Sequence, residues 1–481
     1  MGKFETAYQQ LNNAQRRAVD AIDGPVLVVA GPGTGKTQLL SARVAHILRS
    51  TDTLPQNILC LTFTESGAQN MRQRLTQFIG KDSYDVAIST YHAFGGDLIR
   101  RFPEYFTETR LERPVDELGK RQILSQIVDN LSYRSPLKQT RHHLGDLMST
   151  ISEVKRGLLT PRSLRDIAKA NLDTIQQASQ TTKTALAEHT QRLPSKLAVA
   201  EPLFRQILDT LQTIADGAAV KPPFENLAAV AAKQLAQALE TAIETNKTTP
   251  LTKWKNSWLA KDSNNQFILA GTLEANRMSE LATVLKAYET ALADRGLYDF
   301  DDMILHSIDA LEKNLDLKYT LQEQYQYLLL DEFQDTNAAQ LRLVELLTDN
   351  PASEGRPNVL AVGDDDQAIY AFQGAQYSNM LDYFHLFRNV LVINLSENYR
   401  STATILATAK QIAGQISDSL RGSFPELQKE LIATATDTTH AGVVRTEYIS
   451  EVAERAGIAA SLKIGIGRSC HIELLGNLLL R

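Results

Sequence analysis

Residues 25–37 read PVLVVAGPGTGKT, a short apolar run that leads directly into a glycine-rich turn and a lysine-threonine pair. Glycines let backbone N–H groups turn toward phosphate oxygens at the start of a helix, Lys36 adds a positive charge, and Thr37 offers a hydroxyl to Mg²⁺. Ala30 stands at the first glycine of the usual pattern, and a plain glycine-rich turn is the simpler alternative. The strand, loop and helix context favours a phosphate-binding loop.

Further apolar runs, four to six residues long and rich in Val, Ile and Leu, follow along the chain. Buried parallel strands have this length and composition, and amphipathic helical patterns separate the first of them. The alternation predicts a doubly wound α/β domain with a parallel sheet. The predicted strands are Pro25–Ala30, Ile58–Phe63, Val86–Thr90, Tyr327–Leu330, Val359–Val362 and Leu391–Leu395.

The alternation stops from about Arg101 to Arg295, where the sequence is rich in Ala, Gln, Leu and Thr and has a helical period. This segment predicts a helical insertion that splits the α/β domain. A strand over Val443–Ile449 and a helix over Glu451–Leu462 are expected near the end of the chain. The last stretch, SLKIGIGRSCHIELLGNLLLR, has no clear partner element.

The charge of the chain limits how it could contact nucleic acid. Fifty Lys and Arg are set against 56 Asp and Glu, so the net charge is −6 and a uniformly basic surface is excluded. Residues 100–165 nevertheless carry five more basic than acidic side chains. This excess predicts either a modest stripe that binds a phosphate backbone or a solvated helix face.

The cysteines and the N-terminus bear on the compartment. Cys60 and Cys470 lie far apart without His or Cys at ligand spacing, so neither a disulfide framework nor a zinc site is expected. The sequence opens without an apolar signal core and has no uninterrupted run of about 18 apolar residues. We therefore expect a cytoplasmic protein that does not enter a membrane.

Polar residues follow two later strands at their carboxyl ends, where α/β sheets bind ligands. Asp331 could hold Mg²⁺ and Glu332 could take a proton from an attacking water, although paired acids there also suit an ordinary helix N-terminus. Gln367, which follows three acids after the next strand, is suited to sensing a phosphate. Tyr370 and Phe372 could stack on bases or pack in a core.

Eight segments, taken in order, resemble the superfamily 1 helicases of the UvrD/Rep/PcrA type. The resemblance runs from about Leu11 to Ile449, and the ordered set is far more specific than any one motif. The segments are LNNAQRRAVDA, AGPGTGKT, LTFTESGAQNMRQRL, STYHAFGGDLIR, YDFDDM, LLLDEFQDTN, VGDDDQAIYAFQGA and LSENYRS.

The resemblance implies an ATP site and a surface for single-stranded DNA. It assigns Gln15 and Tyr399 to the adenine and Arg400 to the γ-phosphate. The other residues it implies for the nucleotide are Gly31, Gly33, Thr34, Gly35, Lys36, Thr37 and Gln38, with Thr37 and Asp331 for Mg²⁺ and Lys36, Glu332, Gln367 and Arg400 for hydrolysis. The residues it implies for DNA are Thr62, Phe63, Thr64, Thr90, His92, Tyr370 and Phe372. Without the resemblance, His92 would more often be an ordinary capping or core histidine.

The chain departs from the family's usual pattern in three places. Gln38 stands where the family usually has an Arg that stacks on adenine. We therefore expect adenine to be bound more weakly, or its binding to be divided differently among the surrounding residues. Phe372-Gln373-Gly374 replaces Trp-Arg-Gly, which keeps an aromatic ring and loses a charge. The insertion of roughly 190 residues exceeds the family's first accessory domain, which the stretch from Ile151, ISEVKRGLLTP, resembles.

The resemblance also implies a division into domains. Residues 1–105 and 290–388 would form a first RecA-like motor domain, residues 106–289 an all-helical insertion, and residues 389–481 the beginning of a second RecA-like domain. The family continues past LSENYRS through a second accessory domain and two further motifs. We expect a fragment, or a chain whose reading frame changes near Ala460, that binds Mg·ATP and single strands but hydrolyses slowly and does not separate a duplex.

The leading hypothesis is an ATP-dependent DNA helicase or translocase. The resemblance implies 3′ to 5′ movement on single-stranded DNA, contact with single/double-strand junctions, and a role in repair or replication restart. One alternative is a non-motor module that binds single strands or a partner and uses nucleotide as a switch. Another is the motor half of a helicase-nuclease. Protein partners are not predicted.

Overall fold

The computed structural model of the protein describes residues 3–106, 111–138, 144–189, 194–217, 226–368, 378–413, 430–434 and 446–466. The helices described there are α1 (Lys3–Gln9), α2 (Asn13–Asp20), α3 (Lys36–Ser50), α4 (Glu65–Ile79), α5 (Tyr91–Arg101), α6 (Glu117–Asp129), α7 (Leu144–Arg156), α8 (Pro161–Ala185), α9 (Leu197–Gly217), α10 (Leu227–Thr245), α11 (Thr249–Trp258), α12 (Thr272–Ala293), α13 (Asp302–Lys313), α14 (Leu315–Gln324), α15 (Ala338–Thr348), α16 (Ser378–Leu386), α17 (Ala403–Ala413) and α18 (Glu451–Ile466). The strands are β1 (Val26–Ala30), β2 (Ile58–Thr62), β3 (Ala87–Thr90), β4 (Arg113–Pro114), β5 (Leu259–Lys261), β6 (Phe267–Leu269), β7 (Leu297–Tyr298), β8 (Tyr327–Leu330), β9 (Val359–Gly363), β10 (Leu391–Leu395), β11 (Glu397–Asn398) and β12 (Ile432–Ala433).

A parallel sheet forms the centre of the molecule. Within the described ranges it has six strands in the order β10-β1-β9-β8-β2-β3. Each predicted apolar run is one of these strands, so the expected α/β architecture is confirmed. Parallel strands need crossover connections, and the helices that supply them cover both faces of the sheet.

Strand β1 explains why these runs are continuously apolar. Its alternate side chains enter two different hydrophobic cores. Leu27 and Val29 pack on the face covered by α5, α13 and α15. Val26, Val28 and Ala30 pack on the opposite face with α3 and α4. A strand buried on both faces leaves no position for a solvated polar residue.

The insertion consists of helices α6 to α12 and has two cores of its own. One core joins α6, α7 and the start of α8 to α12, next to the sheet domain. The other joins the end of α8 to α9, α10 and α11. A short antiparallel hairpin, β5-β6, adds Phe267 and Leu269 to this second core. The insertion is therefore helical as predicted, with a hairpin that the helical periodicity did not indicate.

Strand β10 lies in the first sheet, although the predicted division placed it in the second domain. It pairs in parallel with β1, from Val26 opposite Leu391 to Ala30 opposite Leu395. Its residues Ile393 and Leu395 are buried in the same core as α3. An apolar run shows that a strand is buried but not which strand it pairs with, so the sequence could not place it. The rest of the division remains a prediction.

The C-terminal part differs from expectation in one element. Residues 446–449, the described half of the predicted strand over Val443–Ile449, form no strand, and Ile449 is fully exposed. No neighbouring strand pairs with them in the described part of the chain. The predicted helix is present as α18, which begins at Glu451. Within the part of the chain that the structure describes, no helix combines the length and the apolar character needed to cross a bilayer.

Candidate nucleotide and nucleic-acid site

The segments predicted to carry function meet at one edge of the sheet because parallel strands have their carboxyl ends on the same side. Strands β10, β1, β9 and β8 are followed directly by residues 396–400, 31–37, 364–367 and 331–335. Strands β2 and β3, beyond β8, end in residues 62–64 and 90–92. The strand order therefore separates the segments predicted to bind nucleotide from those predicted to bind DNA along a single edge.

The phosphate loop, residues 31–37, has the backbone that its glycines allow. Gly33 and Gly35 have φ of +71° and +86°, a left-handed backbone conformation that residues other than glycine rarely adopt. The buried Thr34 hydroxyl donates to Gly31 O at 2.8 Å and closes the turn. Helix α3 begins at Lys36, immediately after Gly35. The loop therefore directs the N-terminus of α3 at the edge of the sheet, as a phosphate site requires.

Lys36 and Glu332 form an ion pair across this edge. The distance from Lys36 Nζ to Glu332 Oε2 is 2.8 Å, and the two side chains are 11% and 39% exposed. Glu332 has a φ of +49°, an uncommon conformation for a residue other than glycine, which functional sites often hold. Burial acts to raise the pKa of Glu332, but the charge of Lys36 and hydrogen bonds from Gln334 and Lys36 hold it below its usual value.

Asp331 is buried directly behind this pair. Its Oδ1 accepts from Glu332 N at 3.1 Å, and its own N–H donates to Leu61 O at 2.9 Å. Burial and the neighbouring charge of Glu332 raise the pKa of Asp331 to about 7, against the opposing effect of Lys36. A buried carboxylate in this setting fits a site for a hard cation, because a cation would stabilise its ionised form.

Gln334 connects the ends of β8 and β9. Its Nε2 donates to Glu332 Oε2 at 3.0 Å and to Asp335 Oδ2 at 3.1 Å, while its Oε1 accepts from Asp364 N at 3.0 Å. Gln367 lies on the same side, with its Nε2 donating to Asp364 Oδ2 at 2.6 Å. The predicted phosphate sensor is therefore linked to the predicted base through Asp364, by its carboxylate and its backbone N–H, and the side chain of Gln334.

Gln15 and Tyr399, the residues predicted to contact adenine, both interact with the N-cap of α2. Gln15 is buried, accepts from Asn12 N at 3.1 Å and donates to Thr34 O of the phosphate loop at 2.9 Å. Asn12 Nδ2 donates to Tyr399 Oη at 2.9 Å. Gln38 lies next to the loop and accepts from Arg74 of α4 at 3.5 Å. The structure therefore brings residues 15 and 399 to the same side of the phosphate loop.

Asn398, which the motif LSENYRS contains but sequence reasoning does not single out, fixes the segment before Arg400 onto the phosphate loop. It is fully buried, and its Nδ2 donates to Pro32 O. Its Oδ1 accepts from Arg400 N at 2.9 Å and from Ser401 N at 2.7 Å. Tyr399 N donates to Gly33 O at 2.9 Å. Arg400 is consequently held beside the loop, and the surrounding motif LSENYRS was the available sequence signal.

Threonines at the ends of β2 and β3 shape the other half of the edge. Thr64 caps α4 by accepting from Gly67 N at 3.0 Å, and Thr90 caps α5 by accepting from Ala93 N at 3.2 Å. Thr90 also donates to Glu65 Oε1 at 2.9 Å. Thr62 is buried, and Phe63 is half-buried beside it. Thr64 and Thr90 thus have a structural capping role in addition to any contact with DNA.

His92 stacks on Phe300, a residue that sequence reasoning did not assign to the site. The ring centroids lie 3.9 Å apart with the planes at 19°, and Phe300 is 57% exposed. Nε2 of His92 is buried and has no hydrogen-bond partner among the described residues. Burial lowers the pKa of His92 to about 4, so the imidazole is neutral at pH 7. The signal for Phe300 was its place in YDFDDM. Tyr370 and Phe372, which were also predicted to contact DNA, lie outside the described residues.

The basic excess over residues 100–165 is partly internal. Lys155 and Arg156 bond Asp299, Asp301 and Asp302, which lie outside the counted segment. Local charge counting could not detect these pairings across more than 140 residues of chain. These cations therefore form neither a backbone-binding stripe nor a solvated helix face.

An apolar cavity of about 590 Å³ lies beside the phosphate loop. It is bounded by β1 and β10 on one side and by α17 on the other, with Leu406 and Leu431 among its walls. Gly31 and Gln367 reach it, but Lys36 and Glu332 do not. Its apolar walls do not suit a polyphosphate, whereas the polar edge that carries Lys36 does.

Comparison with known proteins gives consistent relatives. The family described as the UvrD/REP helicase N-terminal domain matches residues 11–388. The ATP-dependent DNA helicase PcrA of Leuconostoc citreum is 26% identical over 409 residues, which cover 85% of this chain and 39% of that protein. PcrA of Staphylococcus aureus strain Mu50 is 26% identical over 402 residues, 84% of this chain and 40% of its own. PcrA of Staphylococcus epidermidis is 25% identical over 404 residues, with the same shares. The chain thus spans about two fifths of the length of these relatives.

Proposed function

The chain belongs to the UvrD/REP helicase family, and on this premise we propose that it hydrolyses ATP and uses it to act on single-stranded DNA as a helicase or translocase. The observation that carries the ATPase part is the pair formed by Lys36 and Glu332 in front of buried Asp331. The relatives carry the name ATP-dependent DNA helicase, which supports DNA as the polymer.

Hydrolysis requires the Lys36 to Glu332 pair to separate. The β- and γ-phosphates of ATP attract Lys36 more strongly than one carboxylate does, because they carry more negative charge. Glu332 is then released to accept a proton from the attacking water. Before nucleotide binds, Lys36 and Gln334 hold the pKa of Glu332 below its usual value, so the carboxylate is already ionised when the pair separates, the form that a general base needs.

The remaining nucleotide contacts follow from the positions around the loop. Gln367 is proposed to donate to the γ-phosphate after exchanging its bond with Asp364. Arg400, next to Gly33, is suited to offset the charge that develops on the transferred phosphoryl group. Gln15 and Tyr399 are proposed to contact adenine, with Gln38 alongside.

We assign Mg²⁺ to Thr37 and Asp331. A hydroxyl and a carboxylate are the oxygen ligands that this ion accepts, together with phosphate oxygens of the nucleotide. The bound ion would neutralise charge on the phosphates. The raised pKa of Asp331 is the property of this chain that fits such a role.

Single-stranded DNA is proposed to lie over the ends of β2 and β3. Phe63, His92 and Phe300 offer aromatic faces there, and such faces stack on any base. Thr62, Thr64 and Thr90 would border the bound DNA. Tyr370 and Phe372 are proposed to contact it as well. Movement 3′ to 5′, contact with junctions, a role in repair or restart, and a cytoplasmic location rest on the resemblance to the family alone.

The test is ATP turnover by the 481-residue chain with and without an oligothymidylate. Wild type is expected to hydrolyse ATP faster with DNA, and Lys36→Ala and Glu332→Gln should each abolish the stimulated rate. Lys318→Ala, which removes a lysine paired with Asp349 on a different part of the sheet domain, is the control and should keep it. Nucleotide binding with turnover that DNA leaves unchanged would contradict the motor and favour the switch module.

A further inference from the structure

A cluster of buried charges joins the helical insertion to the sheet domain beside the proposed DNA surface. Lys155, near the end of α7, is 2% exposed, and its Nζ lies 2.7 Å from both Asp299 Oδ2 and Asp302 Oδ1. The next residue, Arg156, donates from Nε to Asp301 Oδ1 at 2.9 Å. Two consecutive cations of the insertion therefore hold three carboxylates of the turn before α13.

This turn carries Phe300 at its centre. Asp302 N donates to Asp299 Oδ1 at 3.0 Å, and Asp299 N donates to Asp302 Oδ2 at 2.9 Å. These reciprocal bonds close the turn on both sides of Phe300. The ring of Phe300 then projects from the turn onto His92, at 3.9 Å between centroids.

The two cations stabilise this form of the turn. Three carboxylates lie within four residues, and Asp299 and Asp302 are both buried. Buried carboxylates repel one another and are costly unless paired with a cation or neutralised by a proton. Lys120 Nζ, at 4.0 Å from Asp299 Oδ2, is the only further cation that approaches the cluster among the recorded ion pairs of the described residues. The conformation of the turn therefore depends on Lys155 and Arg156.

We propose that Lys155 and Arg156 of the insertion are positioning residues that place Phe300 over His92 and so determine the single-strand binding surface of the sheet domain. This inference rests on the proposed binding of single-stranded DNA. It goes beyond that proposal by giving the insertion a defined effect on a surface that it does not itself form. It also explains why these cations face inward in a segment with a basic excess.

A double-mutant cycle on DNA affinity tests the coupling. Phe300→Ala should weaken binding of a fluorescent oligothymidylate about 5- to 150-fold, the equivalent of one lost base stack. Lys155→Met should cause a loss of the same order when Phe300 is present. In the Phe300→Ala background it should add less than about twofold, because the residue through which it acts is gone.

The matched control is Lys318→Met. Lys318 is also a largely buried lysine in an ion pair, 2.9 Å from Asp349 Oδ2, but on α14. It should leave DNA affinity unchanged. Arg156→Gln is a milder variant at a partly exposed site and should show the same dependence on Phe300, which keeps the test valid if Lys155→Met does not fold.

A second measurement reads the position of Phe300 without DNA. Diethyl pyrocarbonate acylates a neutral imidazole nitrogen, and in wild type the ring of Phe300 and the burial of Nε2 should protect His92. Phe300→Ala, Lys155→Met and Arg156→Gln should each increase modification of His92, as read by mass spectrometry. Lys318→Met should not.

The outcomes separate the two proposals. If wild type binds no single-stranded DNA, the proposed function is contradicted. If Lys155→Met still exposes His92 to modification in that case, the positioning of Phe300 by Lys155 is supported. Folded Lys155→Met and Arg156→Gln variants with His92 still protected overturn the positioning. If the losses of DNA affinity caused by Lys155→Met and Phe300→Ala are fully additive, Lys155 does not act through Phe300.

Discussion

Lys36 Nζ lies 2.8 Å from Glu332 Oε2, so the cation expected to bind phosphate is paired with the carboxylate expected to activate water. The two residues are separated by 296 positions in sequence and meet because β1 and β8 are both neighbours of β9. The two charges neutralise each other. Glu332, the proposed general base, is therefore paired and not free to accept a proton. Under the proposed function, nucleotide binding would draw Lys36 away and free the proposed base in the same event.

Removing one member of the pair should have a different effect from removing the other. Glu332→Gln should keep or slightly tighten ATP binding, because Lys36 no longer has an anionic partner to leave, while turnover falls by about 10² or more. Lys36→Ala should weaken ATP binding itself. Isothermal titration and steady-state turnover measure the two effects.

The control for Glu332→Gln is Glu345→Gln. Glu345 is also a partly exposed carboxylate in an ion pair, 2.6 Å from Arg342 Nη1, but it lies on α15. It should change neither ATP binding nor turnover. Equal loss of nucleotide affinity in Lys36→Ala and Glu332→Gln would remove Glu332 from the role of base.

The raised pKa of Asp331 predicts a pH-dependent stability. The group titrates near 3.8 ordinarily and at about 7 in the folded chain, so the folded state binds its proton more tightly between these values. This contribution is present at low pH and is lost as pH rises through 7. Asp331→Asn should therefore raise Tm at pH 8, with a gain that shrinks as pH is lowered toward 5, in nucleotide-free protein without Mg²⁺.

Asp309→Asn, which removes an exposed carboxylate paired with Lys313, is the comparison for this effect and should show no such trend. With Mg·ATP present the order should reverse, because Asp331→Asn loses an oxygen ligand. A Tm difference between wild type and Asp331→Asn that is constant from pH 5 to 8 would mean that the pKa of Asp331 is not raised in the folded chain.

Gly33 and Gly80 allow backbone strain to be separated from contact. Both have positive φ, +71° and +66°. A Cβ on Gly33 would lie 2.7 Å from Arg400 Cβ and 2.8 Å from Asn398 Nδ2, whereas a Cβ on Gly80 would meet nothing within 4 Å. Gly33→Ala should displace the segment that carries Arg400 and weaken ATP binding about tenfold or more.

Gly80→Ala should cost about 1 to 3 kcal/mol of stability, because φ +66° with ψ −131° is a backbone conformation that other residues rarely adopt, and should leave ATP affinity intact. Thermal unfolding and nucleotide titration of both variants provide the comparison. Similar ATP affinities in the two variants would show that the contact between residues 33 and 400 has no part in nucleotide binding.

Phe63 should contribute to DNA binding through stacking alone. Phe63→Ala should weaken binding of a single strand about 5- to 150-fold, with little change in preference among base sequences, since every base has an aromatic face. Tyr84→Ala removes a more exposed aromatic ring, 68% exposed, that precedes β3 instead of following it, and should leave affinity unchanged. A Phe63→Ala variant that loses thermal stability but binds DNA normally would assign Phe63 to the core.

Much of the fold and the nucleotide edge was determined by local sequence. The apolar runs from Val26 to Leu395 predicted the six strands because burial on both faces demands continuous apolar residues. The glycines around Lys36 predicted the loop because its positive φ values are a property of single residues. Asp331 and Glu332 were indicated by their place directly after a buried strand.

Only the tertiary structure decided which of these elements are neighbours. The run at residues 391–395 pairs with β1 instead of starting another domain, because an apolar strand can pair with any buried edge. Lys155 and Arg156 point inward because their carboxylate partners, more than 140 residues away, are delivered by the turn that leads into α13. Phe300 became a candidate DNA residue only when its turn was placed against His92. Periodicity and turn chemistry act between adjacent residues, whereas these pairings depend on the order of strands in the sheet and on the packing of the insertion against it.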